Sequence, residues 1–150
     1  MKIYIKAQAR QMRELEWMIS SHADVIVEHI LKLIIMPEHS AANHWKQEIA
    51  TQLNRVKKLK STGKYPTSDQ IYSWTYEKVS DDIMDARWLE DLIDVIESDY
   101  NTYVSIDINT VMKSLDMICK DYFSWLAKNL SEKGMISNAK AYEILDSLIF

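Results

Sequence analysis

Residues 21–60 read SHADVIVEHILKLIIMPEHSAANHWKQEIATQLNRVKKLK and contain the most apolar segment of the chain. Within residues 25–36, nine of the twelve positions are Val, Ile, Leu or Met. A helix that is apolar on nearly all sides needs neighbours on nearly all sides. Ser21 can act as its N-cap, with an acidic residue three positions later, and Pro37 cannot continue a helix. The segment therefore predicts a buried central helix over about residues 22–36.

Apolar residues at helical spacing predict further helices on both sides of this segment. Residues 100–109 alternate like a strand but have no partner segment, so they predict a loop over apolar surface. The expected helices are residues 6–19, a helix between Ser40 and Gly63, a helix from the capping box at Thr67 and Gln70 to Ser98 that bends near residues 80–82, a helix from Asp107 or Asn109 to Gly134, and a short helix that begins at Ser137.

The composition agrees with long helices. The chain of 150 residues contains only two glycines and two prolines, whereas sheet proteins need many tight turns. This length fits one domain, and no repeat or long linker divides it. We therefore expect an all-α fold, with residues 1–150 forming a single antiparallel bundle of about five to six helices.

The sequence also predicts a cellular location. Cys119 is the only cysteine and cannot form an intrachain disulfide, and the N-terminal MKIYIKAQARQ lacks the apolar core of a signal peptide. Residues 25–36 are too short to span a bilayer, which needs about 20 apolar residues. These features predict a cytoplasmic protein without a membrane segment. The two glycines build no phosphate-binding loop, so no cofactor is expected.

A run of residues in the first two thirds of the chain matches a known pattern. It consists of His29-Ile30-Leu31-Lys32, Pro37-Glu38, Trp45 and Ile49 four residues apart, Tyr76, and Ala86-Arg87. Over about residues 20–95 the chain resembles the bacterial family called domain of unknown function twenty-nine. It departs from that family at Leu33, where the family carries Trp. The family is all-helical and has no assigned activity, so the resemblance implies a helical fold and a bacterial source.

Four histidines are the candidate metal ligands. His22 and His29 are seven residues apart, about 10.5 Å along a helix, which is too far for one ion unless another helix adds ligands. His39 and His44 flank the connector after Pro37 and could join such a site. The chain has no His-x-x-x-His or Glu-x-x-His pair and no Gly-x-Ser-x-Gly turn. A metal-assisted hydrolase that uses these histidines and the aspartates of residues 81–85 is therefore an alternative hypothesis.

Charge is distributed unevenly, although the net charge is only −4. Residues 44–64 contain six basic residues and one acidic residue, whereas residues 81–99 contain eight acidic residues and one basic residue. The two segments either neutralise each other as solvated faces or form separate interaction surfaces. The acidic candidates for partner binding are Asp81, Asp82, Asp85, Asp91 and Asp94. Trp17 and Trp74 lie off the main apolar stripes and are further contact candidates.

Together these features favour a binding protein over an enzyme. The leading hypothesis is a protein that binds another protein, as an inhibitor or immunity-type partner of a basic effector, through the acidic residues of 81–99. Self-association is a second kind of partnership that the apolar C-terminus leaves open. Nucleic-acid binding through the basic residues of 46–64 is a weaker alternative, because the chain is acidic overall.

Overall fold

The computed structural model describes residues 2–60, 66–130 and 136–149, with side chains from Ala9 onward. These ranges form an all-α bundle without a β-strand, which confirms the predicted fold class. The α-helices are α1 (Lys2–Ile35), α2 (Ala42–Lys60), α3 (Ser68–Tyr72), α4 (Lys78–Ile83), α5 (Ala86–Tyr100), α6 (Ile108–Asn129) and α7 (Asn138–Ile149), and a π-helical segment (Ser73–Glu77) joins α3 to α4.

Helix α1 is longer than the sequence pattern predicts. The expected helices at 6–19 and 22–36 are one continuous helix, so the prediction of an N-cap at Ser21 is wrong. The Ser21 hydroxyl instead donates to the Trp17 carbonyl at 2.8 Å, one helical turn back. A serine within a helix can satisfy its hydroxyl in this way without ending the helix. The predicted end at Pro37 is confirmed, because α1 ends at Ile35.

The C-terminal half of α1 is the centre of the bundle. Its buried apolar residues are Ile19, Ala23, Ile26, Val27, Ile30, Leu31 and Leu33. They face α2 and α6, while the π-helical segment and α4 also pack against α1. Val25 and residues 34–36 are only half-buried, so the predicted burial on nearly all sides holds for five of the nine apolar residues of 25–36. Each fully buried Leu or Ile contributes about 1.5–3 kcal/mol of transfer free energy.

Polar side chains start several of the helices, as predicted. The Thr67 hydroxyl accepts from Gln70 N–H at 3.2 Å, and the Gln70 side chain accepts from Thr67 N–H at 2.8 Å, which completes the capping box. Asp107 caps α6 by accepting from Thr110 N–H at 3.2 Å. Ser137 accepts from Lys140 N–H at 3.2 Å at the start of α7. The helix ends expected at Gly63 and Gly134 lie outside the described residues.

The long helix predicted after Thr67 is divided. It passes through a π-helical segment and then breaks at Met84 and Asp85, slightly later than the bend expected at residues 80–82. Asp85 stops the first part and caps the second, since its carboxylate accepts from the N–H groups of Arg87 and Trp88. The following helix α5 ends at Tyr100, and Asn101 adopts a left-handed conformation with φ 48°.

The loop predicted over residues 100–109 is confirmed for residues 101–107, whereas Tyr100 belongs to α5 and residues 108–109 belong to α6. Val104 packs against the core, and its N–H donates to Glu97 Oε2 at 3.0 Å. Tyr103 and Ile106 are exposed. The loop therefore covers apolar surface through one of its three larger side chains.

Candidate functional site

The acidic residues of α4 and α5 occupy exposed positions. On α5 the inward side carries Leu89, Ile93 and Ile96, which are buried against the core. The rest of the helix circumference carries the exposed carboxylates Glu90, Asp91, Asp94 and Asp99. Asp81, Asp82 and Asp85 are exposed in and just after α4. We call these seven residues the acidic surface.

Among the described residues, the carboxylates of the acidic surface form no ion pair, not even with Arg87, which is the one basic residue of 81–99. The ion pairs found in the described part of the chain join Lys32 to Glu28, Lys46 to Asp146 and Lys78 to Glu16. None of them includes a carboxylate of residues 81–99. Asp85 has backbone donors at the start of α5, whereas the other exposed carboxylates of this surface have no hydrogen-bond donor among the described residues. Unpaired carboxylates on one surface repel each other and attract a cationic partner.

The described residues of the basic segment form no ion pair with the acidic surface. Lys46 pairs with Asp146 of α7 at 2.8 Å, and the Lys60 ammonium donates to the Pro66 carbonyl. Lys57 is only 6% exposed. No ion pair joins the described residues of 44–60 to residues 81–99. Mutual neutralisation of the two segments therefore has no direct ion pair in its support and stays a prediction, and Lys64 lies outside the described residues.

Asp24 joins this surface, which the sequence did not predict. The Glu16–Lys78 ion pair, at 3.6 Å, and the hydrogen bond from the Ser20 hydroxyl to the Trp74 carbonyl, at 3.0 Å, hold one side of α1 beside α4. Partial burial raises the pKa of Asp24, and the nearby Asp82 carboxylate raises it further, while Lys78 lowers it. Asp24 and Asp82 are 58 positions apart, so no local pattern links them.

The two tryptophans chosen as contact candidates differ in environment. Trp17 is 69% exposed on α1. It is seven residues from Asp24, on the same side of the helix and about 10.5 Å away along the axis. Trp74 is half-buried, packs against the core and lies in the π-helical segment. Trp17 is therefore available to a partner beside the acidic surface, whereas Trp74 mainly supports the core.

Two apolar side chains are exposed among the carboxylates. Met84 is 59% exposed between Asp82 and Asp85, and Val95 is 52% exposed directly after Asp94. Protein interfaces combine an apolar centre with a polar rim, and side chains such as these can supply the apolar contacts. The acidic surface is thus chemically mixed and suits contact with a protein better than contact with a simple ion.

The structure does not bring the four histidines together. His22 Nδ1 donates to Gln52 Oε1 at 2.7 Å, and His29 Nδ1 donates to the Val25 carbonyl of its own helix at 2.7 Å. His39 stacks on Trp45 with ring centroids 5.2 Å apart, and its Nδ1 accepts from Ala41 N–H. His44 is exposed. The described part of the chain contains no group of three His, Cys, Asp or Glu side chains that could hold a metal ion.

Cys119 offers no reactive thiol. It is fully buried on α6, and burial, together with the Asp116 carboxylate, raises its pKa well above the ordinary value. A thiol, not a thiolate, is therefore present near neutral pH, which makes nucleophilic chemistry unfavourable. Cys119 acts as part of the core.

Comparison with known proteins adds no family. No family model, curated protein or solved structure matches the chain. The resemblance to domain of unknown function twenty-nine over about residues 20–95 therefore stays a prediction based on its sequence motifs. In the described ranges, no helix is long and apolar enough to cross a membrane.

Proposed function

We propose that the chain is a cytoplasmic bacterial protein that binds a basic protein through the acidic surface, as an inhibitor or immunity-type partner. The observation that carries this proposal is the set of exposed carboxylates on α4 and α5 without a cationic partner among the described residues. A surface of one charge sign raises the rate of association with an oppositely charged protein and disfavours partners of like charge. Exposed apolar side chains within it would add contact area.

The arrangement of Asp24, Asp82 and Trp17 supports the same proposal. A cation from a partner that approached Asp24 and Asp82 would relieve the repulsion between these two carboxylates. An exposed tryptophan about two helical turns from Asp24 can supply an aromatic contact, and tryptophan is among the residues that most often dominate binding energy in interfaces. The proposed contact region therefore extends from α5 across α4 to one side of α1.

The alternative functions have less support in the described residues. A hydrolase that uses His22, His29, His39 and His44 would need these side chains to converge, and each has a separate environment. A nucleic-acid interface on α2 would need exposed cations in a row. Of the four lysines and one arginine described on α2, only Arg55 and Lys58 are exposed.

The proposal can be tested with two variants that change the net charge equally. In the surface variant, Glu90→Gln, Asp91→Asn and Asp94→Asn remove three exposed charges of the acidic surface. In the matched control, Glu38→Gln, Asp121→Asn and Glu143→Gln remove three exposed charges elsewhere. Each immobilised protein is exposed to bacterial lysate at about 50 mM and 500 mM NaCl, and bound proteins are quantified by mass spectrometry.

We expect the wild type and the matched control to retain the same basic protein at low salt, and the surface variant to lose it. Binding at 500 mM NaCl should be weaker, because screening shortens the Debye length to a few ångströms. The proposal fails if the surface variant and the control retain equal amounts of every protein. It also fails if the retained partner is acidic.

A further inference from the structure

A second candidate site lies between α1 and α2 and shares no residue with the acidic surface. A groove of about 620 Å³ separates the N-terminal half of α1 from the C-terminal half of α2. Its α1 wall consists of Gln11, Glu14, Leu15, Met18 and His22, and its α2 wall consists of Arg55, Lys58 and Leu59. Along each wall the residues, or adjacent pairs of residues, recur every three to four positions, so each wall is one side of a helix.

At one end of the groove the side chain of His22 is fixed. Its Nδ1 lies 2.7 Å from Gln52 Oε1, and an amide oxygen can only accept, so Nδ1 carries the proton. Gln52 is buried, which restricts its own movement and therefore that of the imidazole. Nε2 holds the lone pair of the neutral ring. The bond to Gln52 also persists in the imidazolium, in which Nε2–H can donate to an anion.

The α2 wall supplies positive charge. Arg55 is exposed, and no described carboxylate lies within ion-pair distance of its guanidinium. Lys58 lies three residues further along the same wall. The planar guanidinium group binds carboxylates and phosphates through two parallel hydrogen bonds. Among the described residues that line the groove, Glu14 is the single carboxylate, and it lies on the opposite wall from Arg55 and Lys58.

Apolar side chains form the rest of the groove. Leu15 and Leu59 pack against the core and are partly buried, and Met18 is also partly buried. Small-molecule sites typically combine such apolar walls with a few polar groups that fix the orientation of the ligand. The methionine side chain adapts to irregular ligand shapes. A bare inorganic ion would leave these apolar walls unused.

We infer that this groove binds a small organic anion, in which a carboxylate or phosphate group contacts Arg55 and His22 and an apolar chain lies along Leu15, Met18 and Leu59. A carboxylate and a phosphate monoester both present the oxygen pair that a guanidinium recognises. The apolar chain supplies the remaining binding energy by leaving water. When the His22 ring is an imidazolium, its Nε2–H can donate to the anionic group.

The inference is tested by titration calorimetry with octanoate, octyl phosphate and inorganic phosphate as probes, each below its micelle concentration. We expect both octyl probes to bind, and inorganic phosphate to bind at least about tenfold more weakly because it has no apolar part. Preference for octanoate would identify the ligand as a carboxylate, and preference for octyl phosphate would identify it as a phosphate monoester. Equal affinity for inorganic phosphate and octyl phosphate would overturn the inference.

Two charge variants are expected to change binding in opposite directions, so a general loss of folding cannot explain both results. Arg55→Gln should weaken binding of the octyl probes about tenfold, the equivalent of one charge-assisted hydrogen bond. Glu14→Gln should strengthen binding about two- to threefold, because it removes a negative charge that repels the anionic probe. The matched controls are Arg87→Gln and Asp121→Asn, which make the same charge changes at exposed positions outside the groove. The inference is wrong if Arg55→Gln binds as tightly as its control.

A spectroscopic measurement tests the part assigned to His22. In nitrogen-15 spectra of the imidazole rings, octyl phosphate should shift the Nε2 resonance of His22 and leave that of the exposed His44 unchanged. Binding without any change at His22, or equal changes at both histidines, would contradict the proposed position of the anionic group.

Discussion

Asn54 holds the backbone of Ile136 through two hydrogen bonds. Its Oδ1 accepts from Ile136 N–H at 2.8 Å, and its Nδ2 donates to the Ile136 carbonyl at 2.8 Å. Both residues are buried, so neither group of the Ile136 backbone is available to water. An asparagine side chain has the same donor and acceptor pair as a peptide unit and can replace a neighbouring backbone. This contact fixes the start of α7 on α2.

Asn54→Ala should destabilise the fold strongly. The substitution leaves a buried N–H and a buried carbonyl without partners, at about 1–3 kcal/mol each. We expect a loss of about 2–4 kcal/mol in the free energy of unfolding, measured by urea denaturation followed by circular dichroism. Gln47→Ala, at an exposed position of the same helix, is the control and should change stability by less than about 0.5 kcal/mol. A loss below about 1 kcal/mol for Asn54→Ala would contradict the assigned role.

Thr67→Ala should weaken the start of α3. The substitution removes the hydroxyl that accepts from Gln70 N–H, and loss of an N-cap costs about 1 kcal/mol. The free energy of unfolding from urea denaturation should fall by about this amount. Ser68→Ala changes the adjacent exposed residue without removing a cap, and it should have little effect. Equal losses in both variants would argue against the capping box as a source of stability.

The capping box could be predicted from sequence because its partners are three residues apart. The same holds for the caps at Asp107 and Ser137, and for the end of α1 before Pro37. The same local rules explain the wrong prediction of an N-cap at Ser21, because serine followed by an acidic residue three positions later is typical of a helix start. There the helix continues because burial of residues 23–33 stabilises it more than a cap would.

Contacts between distant residues could not be predicted in this way. Asn54 and Ile136 are separated by 82 positions, and Asp24 and Asp82 by 58. Nothing in the local pattern around Asn54 marks it as a buried residue that binds backbone. The acidic candidates were found because a run of like charge is visible in one segment, whereas the groove at His22 depends on how α1 and α2 are placed. The fold class could be predicted from composition and periodicity. The groove could be found only from the packing of α1 against α2.

Two tyrosines, Tyr122 and Tyr76, should respond in opposite ways to the loss of their hydroxyls. Tyr122 is fully buried, and its hydroxyl has no hydrogen-bond partner among the described residues. Tyr76 is half-buried, and its hydroxyl donates to Asp116 at 2.8 Å. Burying a hydroxyl without a partner is unfavourable, whereas an intact hydrogen bond stabilises by about 1 kcal/mol.

Tyr122→Phe should therefore leave stability unchanged or raise it by about 1 kcal/mol, and Tyr76→Phe should lower it by about 1 kcal/mol. Both free energies of unfolding are measured in the same urea series, so each variant serves as the control for the other. The interpretation would be refuted if Tyr122→Phe destabilised the fold more than Tyr76→Phe.

Asp24 and Asp82 should make stability depend on pH. The pKa of Asp24 is raised in the folded state above its ordinary value of 3.8, first by partial burial and then by the Asp82 charge. The folded protein thus binds the Asp24 proton more tightly than the unfolded chain, so this residue lowers stability as pH rises from 3.8 through the raised pKa. At pH 7 the whole penalty is present, and below pH 3.8 it disappears.

Asp24→Asn should therefore raise the free energy of unfolding at pH 7 by a few tenths of a kcal/mol, since Asp24 is exposed to water that screens the interaction. Below pH 3.8 the same variant should show no gain. Asp82→Asn should lower the pKa of Asp24 in a carbon-13 titration of the carboxyl groups, because it removes one of the two causes of the shift. Asp69→Asn, at an exposed position on α3, should leave that pKa unchanged. An unchanged Asp24 titration in Asp82→Asn would show that the two carboxylates do not interact, and the extension of the acidic surface onto α1 would then be wrong.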